Sequence, residues 1–300
     1  MFRTALPAHL HGMRDASPEL SPQEVVVADQ SFELLRIFQR GTGTWMDVLD
    51  HSLSFQRQAI ELAFSSSLLL HSICAVSAKH MSFVAETSIW EPVASSYYGE
   101  GLRLLIKDLN ESNTSHDTLL AATILLSSYE LLATAGPDHE KHLYGARTII
   151  QTRGLRAKET SLQRASFWIY ARQDVALALV NEGPTFMPST NWNVMLPSDG
   201  AGEDTRGNKM LWLLARAIDL RFKPVSGTTP SERYQALMDI SNEINRWWND
   251  LAPTARGVTV GDNSGTELPK IWFCVPAAGK LPSSHTHYPQ EVLTEMIPWF

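Results

Sequence analysis

A few side chains in this sequence could do chemistry, and their spacing limits what that chemistry is. Glu130 is the one acid beyond the first position of "DTLLAATILLSSYELLAT", residues 117–134, a run apolar on nearly every side. Arg172 and Asp174 stand two residues apart in "SFWIYARQDVALAL". On a helix that spacing turns them to different faces, so either one of them reaches water or the helix is internal and other helices neutralise both. A helix that is apolar all round is normally central, and a charge isolated there costs several kcal/mol. Arg172 is therefore expected to meet Glu130 between two inner helices, with Asp174 nearer a helix end or water. Glu130, Arg172 and Asp174 are the candidate buried ion-pair residues; the role is structural, with a ligand-facing role as the alternative.

The remaining candidates do not assemble into a site. "DHEKH" places His139 and His142 three apart around Glu140, one short of the four-residue spacing that brings two imidazoles to one zinc. His285 and His287 in "SSHTHYP" could chelate only from an extended strand, and a loose tail is the plainer reading. The two cysteines, Cys74 and Cys274, have no CxxC spacing, which speaks against a disulfide framework or a cysteine zinc site and points to a reducing, intracellular setting. No GxSxG, P-loop or dinucleotide fingerprint occurs. Glu130, Asp174, His71 and His142 are raw material for acid–base catalysis, but no spacing converges them. No catalytic, metal or cofactor residue is assigned. A helical enzyme acting on a small apolar metabolite stays as the competing class.

The elements that must position these residues are helices. Thr229, Pro230 and Glu232 in "TPSE" form a capping box with proline at the first helical position; Ser21, Pro22 and Glu24 repeat it, and Thr160 with Gln163 makes a third start. The helix opened near Ser21 closes at Gly41. Tyr234, Leu237, Met238, Ile244, Trp248 and Leu251 fall on one stripe, and Met210, Leu211, Leu214, Ala217 and Ile218 on another. Trp247 and Trp248 cannot share a face, so one is expected to fill the core and the other to pack on a neighbour or line a cavity. Gly145 is read as permitting a close helix approach. The fold class is all-α, a single-domain multi-helix bundle or irregular stack of helical hairpins. Residues 1–20 are expected to be a disordered or loosely packed N-terminus, 21–275 the helical domain, and 276–300 a divergent or truncated C-terminal tail.

Composition narrows the partners. The formal net charge is −7, so the chain as a whole does not attract phosphate backbones, and direct DNA binding is not expected. The basic group Arg147, Arg153, Arg156, Lys158 and Arg164 reads as a solvated loop after a helix ending at Gly154. The most membrane-like stretch, residues 62–78, falls short of the roughly 20 residues a span needs and carries His71, so no membrane role is expected. The first fifteen residues hold no signal-peptide core.

Seven blocks, "SLLLHSICAVSAKHMSF", "YYGEGLRLLIKDL", "DTLLAATILLSSYELL", "HLYGARTIIQTRG", "ASFWIYARQDVALALVNEGP", "NKMLWLLARAIDL" and "LPKIWF", stand in the order in which they resemble blocks of the fungal-specific regulatory domain of binuclear zinc-cluster transcription factors. The resemblance runs over most of the chain. It implies an all-α regulatory domain in a nuclear protein that controls transcription, often of metabolic or secondary-metabolite biosynthetic genes, through a protein partner or a small-molecule effector. A binuclear zinc cluster takes six cysteines, and this sequence has two. The resemblance therefore implies action through a partner, such as an intact zinc-cluster factor or the transcription machinery, with no cofactor of its own. Beyond "IWF" the sequence departs from the family pattern.

Overall fold

The computed structural model describes residues 29–85, 89–111, 115–133, 139–153, 161–192, 202–222, 227, 229–252, 255–256, 258–260 and 270–272. The helix starts at Ser21 and Thr160, Gly154, Arg156, Lys158, Cys274, His285, His287 and the segments 1–20 and 276–300 lie outside them. The architecture is all-α. Its elements are α1 (Asp29–Arg40), α2 (Thr42–Met46), a 3-10 turn (Asp47–Leu49), a π-helical turn (Phe55–Ala59) running into α3 (Ile60–Ala63), α4 (Ser67–Val84), α5 (Trp90–Glu111), α6 (His116–Ala133), α7 (His139–Arg153), α8 (Ser161–Val180), α9 (Glu203–Phe222) and α10 (Pro230–Asn249). A ribbon of β1 (Val258–Val260) and β2 (Lys270–Trp272) pairs antiparallel, with Thr259 opposite Ile271. The "LPKIWF" block thus supplies a short strand.

Two helices organise the packing. α4 is touched by α1, α5 and α6, and α6 by α4, α5, α7 and α8. Every residue of α6 from Thr118 to Tyr129 is buried, which is why its sequence shows no polar face. Leu68–Leu70 and Ser72–Lys79 of α4 are buried likewise, so its membrane-like composition serves a protein core. Their hydroxyls are absorbed locally: Ser72 and Ser77 donate to the carbonyls of Leu68 and Ile73, and Thr123 and Ser128 to those of Leu119 and Ile124, each four residues back.

Cross-links between side chains give the helix directions. Asp117 with Gln163 near the starts of α6 and α8, and Ser127 and Ser128 with Gln173 further along, run these two helices in parallel. α10 returns along α9, with Trp247 donating to the Arg206 carbonyl at 2.9 Å and Arg216 paired with Glu243 at 2.8 Å.

The Thr229 capping box is present in full, with Pro230 opening α10. α1 ends at Arg40, where the Gly41 amide turns back to the carbonyls of Ile37 and Phe38. Two readings need correction. The buried face of α10 is Leu237, Ile240 and Ile244 with Trp247 beside them, whereas Tyr234 is exposed; Trp247 and Trp248 are both only partly buried because α10 has one packed side, against α9. A Cβ at Gly145 would meet nothing within 4 Å, so that glycine permits no close approach. Gly101 does, with Leu126 at 3.2 Å and Ser72 at 3.5 Å from its position between α5 and the two central helices.

Candidate functional site

The structure separates the residues expected to pair. On α8, Gln173 faces α6 through Ser127 and Ser128, as Gln163 does through Asp117. Arg172 precedes Gln173 by one residue and is turned about 100° away, towards α2. Glu130 lies past the serines on α6 and faces α5 and α7 instead. The expected Arg172–Glu130 pair does not form, because one helical face cannot present both residue 172 and residue 173 to the same neighbour.

Glu130 meets Tyr98 of α5 and His142 of α7. Its Oε1 accepts the Tyr98 hydroxyl and lies 3.0 Å from His142 Nε2; both the carboxylate and the imidazole are 13% exposed. Tyr98 stacks on Tyr129 with ring centres 4.3 Å apart, and its hydroxyl is 3.3 Å from His142. Glu130 Oε2 is buried without a hydrogen bond. This is a three-helix polar knot where the C-terminal end of α6 passes between its neighbours.

Arg172 docks on the α2 segment. One of its Nη nitrogens donates to the Met46 carbonyl at 2.9 Å, and its guanidinium carbon is 5.8 Å from the Trp45 ring centre. Burial pulls its pKa down to about 10, opposed by the charge of Asp47. Asp47 itself organises the turn into the π-helix: Oδ1 accepts the Phe55 amide at 2.9 Å, and Oδ2 accepts the Gln56 amide at 2.8 Å and its side-chain amide at 3.2 Å. Burial outweighs those donors and pushes its carboxyl up to about 6.

Asp174 is the second correction: it is 1% exposed, nowhere near water. It accepts the Tyr170 hydroxyl at 2.9 Å and the amides of Phe186 and Met187 at 2.7 and 3.0 Å. Asp219 of α9 accepts the Thr185 amide and hydroxyl and, at 2.6 Å, the Ser189 amide. Burial raises the pKa of Asp174 and that of Tyr170, the phenol being further opposed by the neighbouring carboxylate. Asp174 stays buried because the turn after α8 folds back and supplies the amides that solvate it.

Lys79 of α4 was not singled out from sequence. It is 5% exposed and its Nζ stands 2.7 Å from both oxygens of Glu91 at the start of α5, with the Phe83 ring 5.1 Å away. That hydrogen-bonded pair lowers the Glu91 carboxyl below its ordinary value. The signal was available: Lys79 interrupts an apolar helical run just as Glu130 does. Of the acid–base candidates, only Glu130 and His142 come together; His71 Nδ1 is 2.7 Å from the Ser67 carbonyl. Among the described residues no group of three or more His, Cys, Asp or Glu is placed to hold a metal ion.

Residues 33–257 match the model of the fungal specific transcription factor domain, three quarters of the chain. The chain belongs to this family. Its all-α core, from α1 to the foot of the β-ribbon, is the matched region. It is also 21% identical over 390 aligned positions to the transcription activator AMTR1 of Alternaria alternata, covering 88% of this chain and 50% of that protein. The chain thus spans about half the length of the curated relative it matches. No solved structure matches it.

Proposed function

We propose that this chain is the regulatory, non-catalytic part of a transcription-control assembly. A protein partner or small-molecule effector binds one arrangement of its helices better than another and shifts the population between them. The observation that carries this reading is the family match across residues 33–257, which takes in every helix that packs on α4 and α6. The two cysteines of this chain are too few for a binuclear zinc cluster, so in this reading DNA contact is made outside these residues, for instance by an intact zinc-cluster factor acting as partner, and the work is done in the nucleus on metabolic or biosynthetic genes.

A tethering assay tests this. The full chain fused to an unrelated DNA-binding domain in a fungal host is expected to raise or lower transcription from a reporter carrying that domain's site. Unchanged output from a fusion that is folded, expressed and bound at the site would refute the regulatory role.

A further inference from the structure

Arg172 is a half-buried cation that spends one donor inside the protein and keeps the rest of its guanidinium open to the surface. A guanidinium carries five N–H donors. One goes to the Met46 carbonyl, and among the described residues Arg172 makes no other hydrogen bond and no ion pair. The nearest acid by charge, Asp47, has both oxygens turned to Phe55 and Gln56. Trp45, whose ring lies beside the guanidinium, is 48% exposed, so its indole is open to a ligand. Two further arginines lie on the adjoining elements. Arg164, about two turns earlier on α8, reaches Ser52 at 3.4 Å, and Arg57 is exposed on the π-helical turn next to Gln56.

We propose that the Arg172 guanidinium and the Trp45 ring form a recognition point for a carboxylate carried on an apolar or aromatic body. The carboxylate takes the free N–H edge of the fork, the geometry in which arginine pairs most strongly, and the body packs on the exposed indole. Arginine and tryptophan together are also the residue types that concentrate binding energy at protein interfaces. The carboxylate belongs either to a free metabolite or to an aspartate or glutamate of a partner; the chemistry is the same. Occupation would tie α8, which packs directly on the central α6, to the α2 segment on the outside, and so link a surface event to the core. Only that consequence rests on the regulatory reading; the binding stands on the guanidinium.

The test uses the full chain labelled with ¹⁵N, with the Trp45 indole signal identified by its loss in Trp45→Phe. Three probes are titrated: phenylacetate, the neutral phenylacetamide, and a terminally blocked peptide whose only carboxylates are Asp and Glu side chains beside a Phe. Saturable movement of the Trp45 signal with phenylacetate alone assigns a free acid; movement with the peptide assigns a partner's side chain. Arg172→Gln should weaken either by about tenfold or more, since a charge-assisted pair is lost. Arg172→Lys keeps the charge and a donor for Met46 and should weaken it less, which keeps the test valid if the glutamine variant does not fold. No movement with either carboxylate, equal movement with phenylacetamide, or unchanged affinity in both variants overturns the proposal. A failed reporter assay with intact carboxylate binding would remove the regulatory reading and leave this one standing.

Discussion

Asp174 and Asp219 sit on different helices and hold the same turn: Asp174 takes the amides of Phe186 and Met187, and Asp219 those of Thr185 and Ser189. Between them they give α8 and α9 a shared, rigid connection, with Trp192 closing it by donating to the Met187 carbonyl at 2.9 Å. Asp174→Ala leaves three donors without an acceptor in a buried place and should destabilise by about 3 kcal/mol. Because the two carboxylates support one segment, Asp174→Ala and Asp219→Ala should be non-additive, by at least about 0.5 kcal/mol. Urea unfolding of the two single variants and the double variant measures both; simple additivity would mean the turn is not a unit.

Glu130 and Arg172 share no contact, so their removal should be independent. Glu130→Gln with Arg172→Gln should add to within about 0.5 kcal/mol, whereas Glu130→Gln with His142→Gln should show a coupling of roughly 0.5–2 kcal/mol. The same unfolding experiment decides it. Strong coupling of residues 130 and 172 would restore the pairing that the structure removes.

Burial of Asp47 produces a pH dependence of definite sign. Its carboxyl rises from 3.8 to about 6, so between those values the native state holds a proton that the unfolded state has released. Stability therefore falls as pH rises through this window, by up to about 3 kcal/mol from this group, and the raised carboxyl of Asp174 acts in the same direction. Asp47→Asn removes the titration. Between pH 4 and 7 the wild type should lose stability relative to this variant, and parallel stability profiles would show that Asp47 ionises normally.

Two helix glycines should respond oppositely to alanine. Gly145 on α7 has open space, so Gly145→Ala should gain roughly 0.5–1 kcal/mol from helix propensity. Gly101 on α5 faces Leu126 and Ser72, and Gly101→Ala should lose about 1–2 kcal/mol through overpacking. Thermal melts of the two variants should shift in opposite directions.

The sequence carried the helices and their interior rank, because a run such as residues 118–129 has no polar side and can only be central. It carried the Thr229 cap, because that motif is local. It could not carry which face of α8 meets which neighbour. A single residue of rotation separates Gln173, facing α6, from Arg172, facing α2, and composition does not reveal that rotation when a helix is apolar nearly all round. Asp174 was misplaced for a related reason: its ligands are backbone amides of a later turn, and every residue type carries an amide. The link from Lys79 to Glu91 was legible in kind, as a charge inside an apolar run, but its partner lies across a helix boundary.

Transcription control is tested most directly by chromatin immunoprecipitation of the tagged full chain in a fungal host. Enrichment at discrete promoters, lost when a co-purifying DNA-binding partner is deleted, is the expected result. A stable, folded, nuclear chain with no occupancy above an untagged control would contradict it.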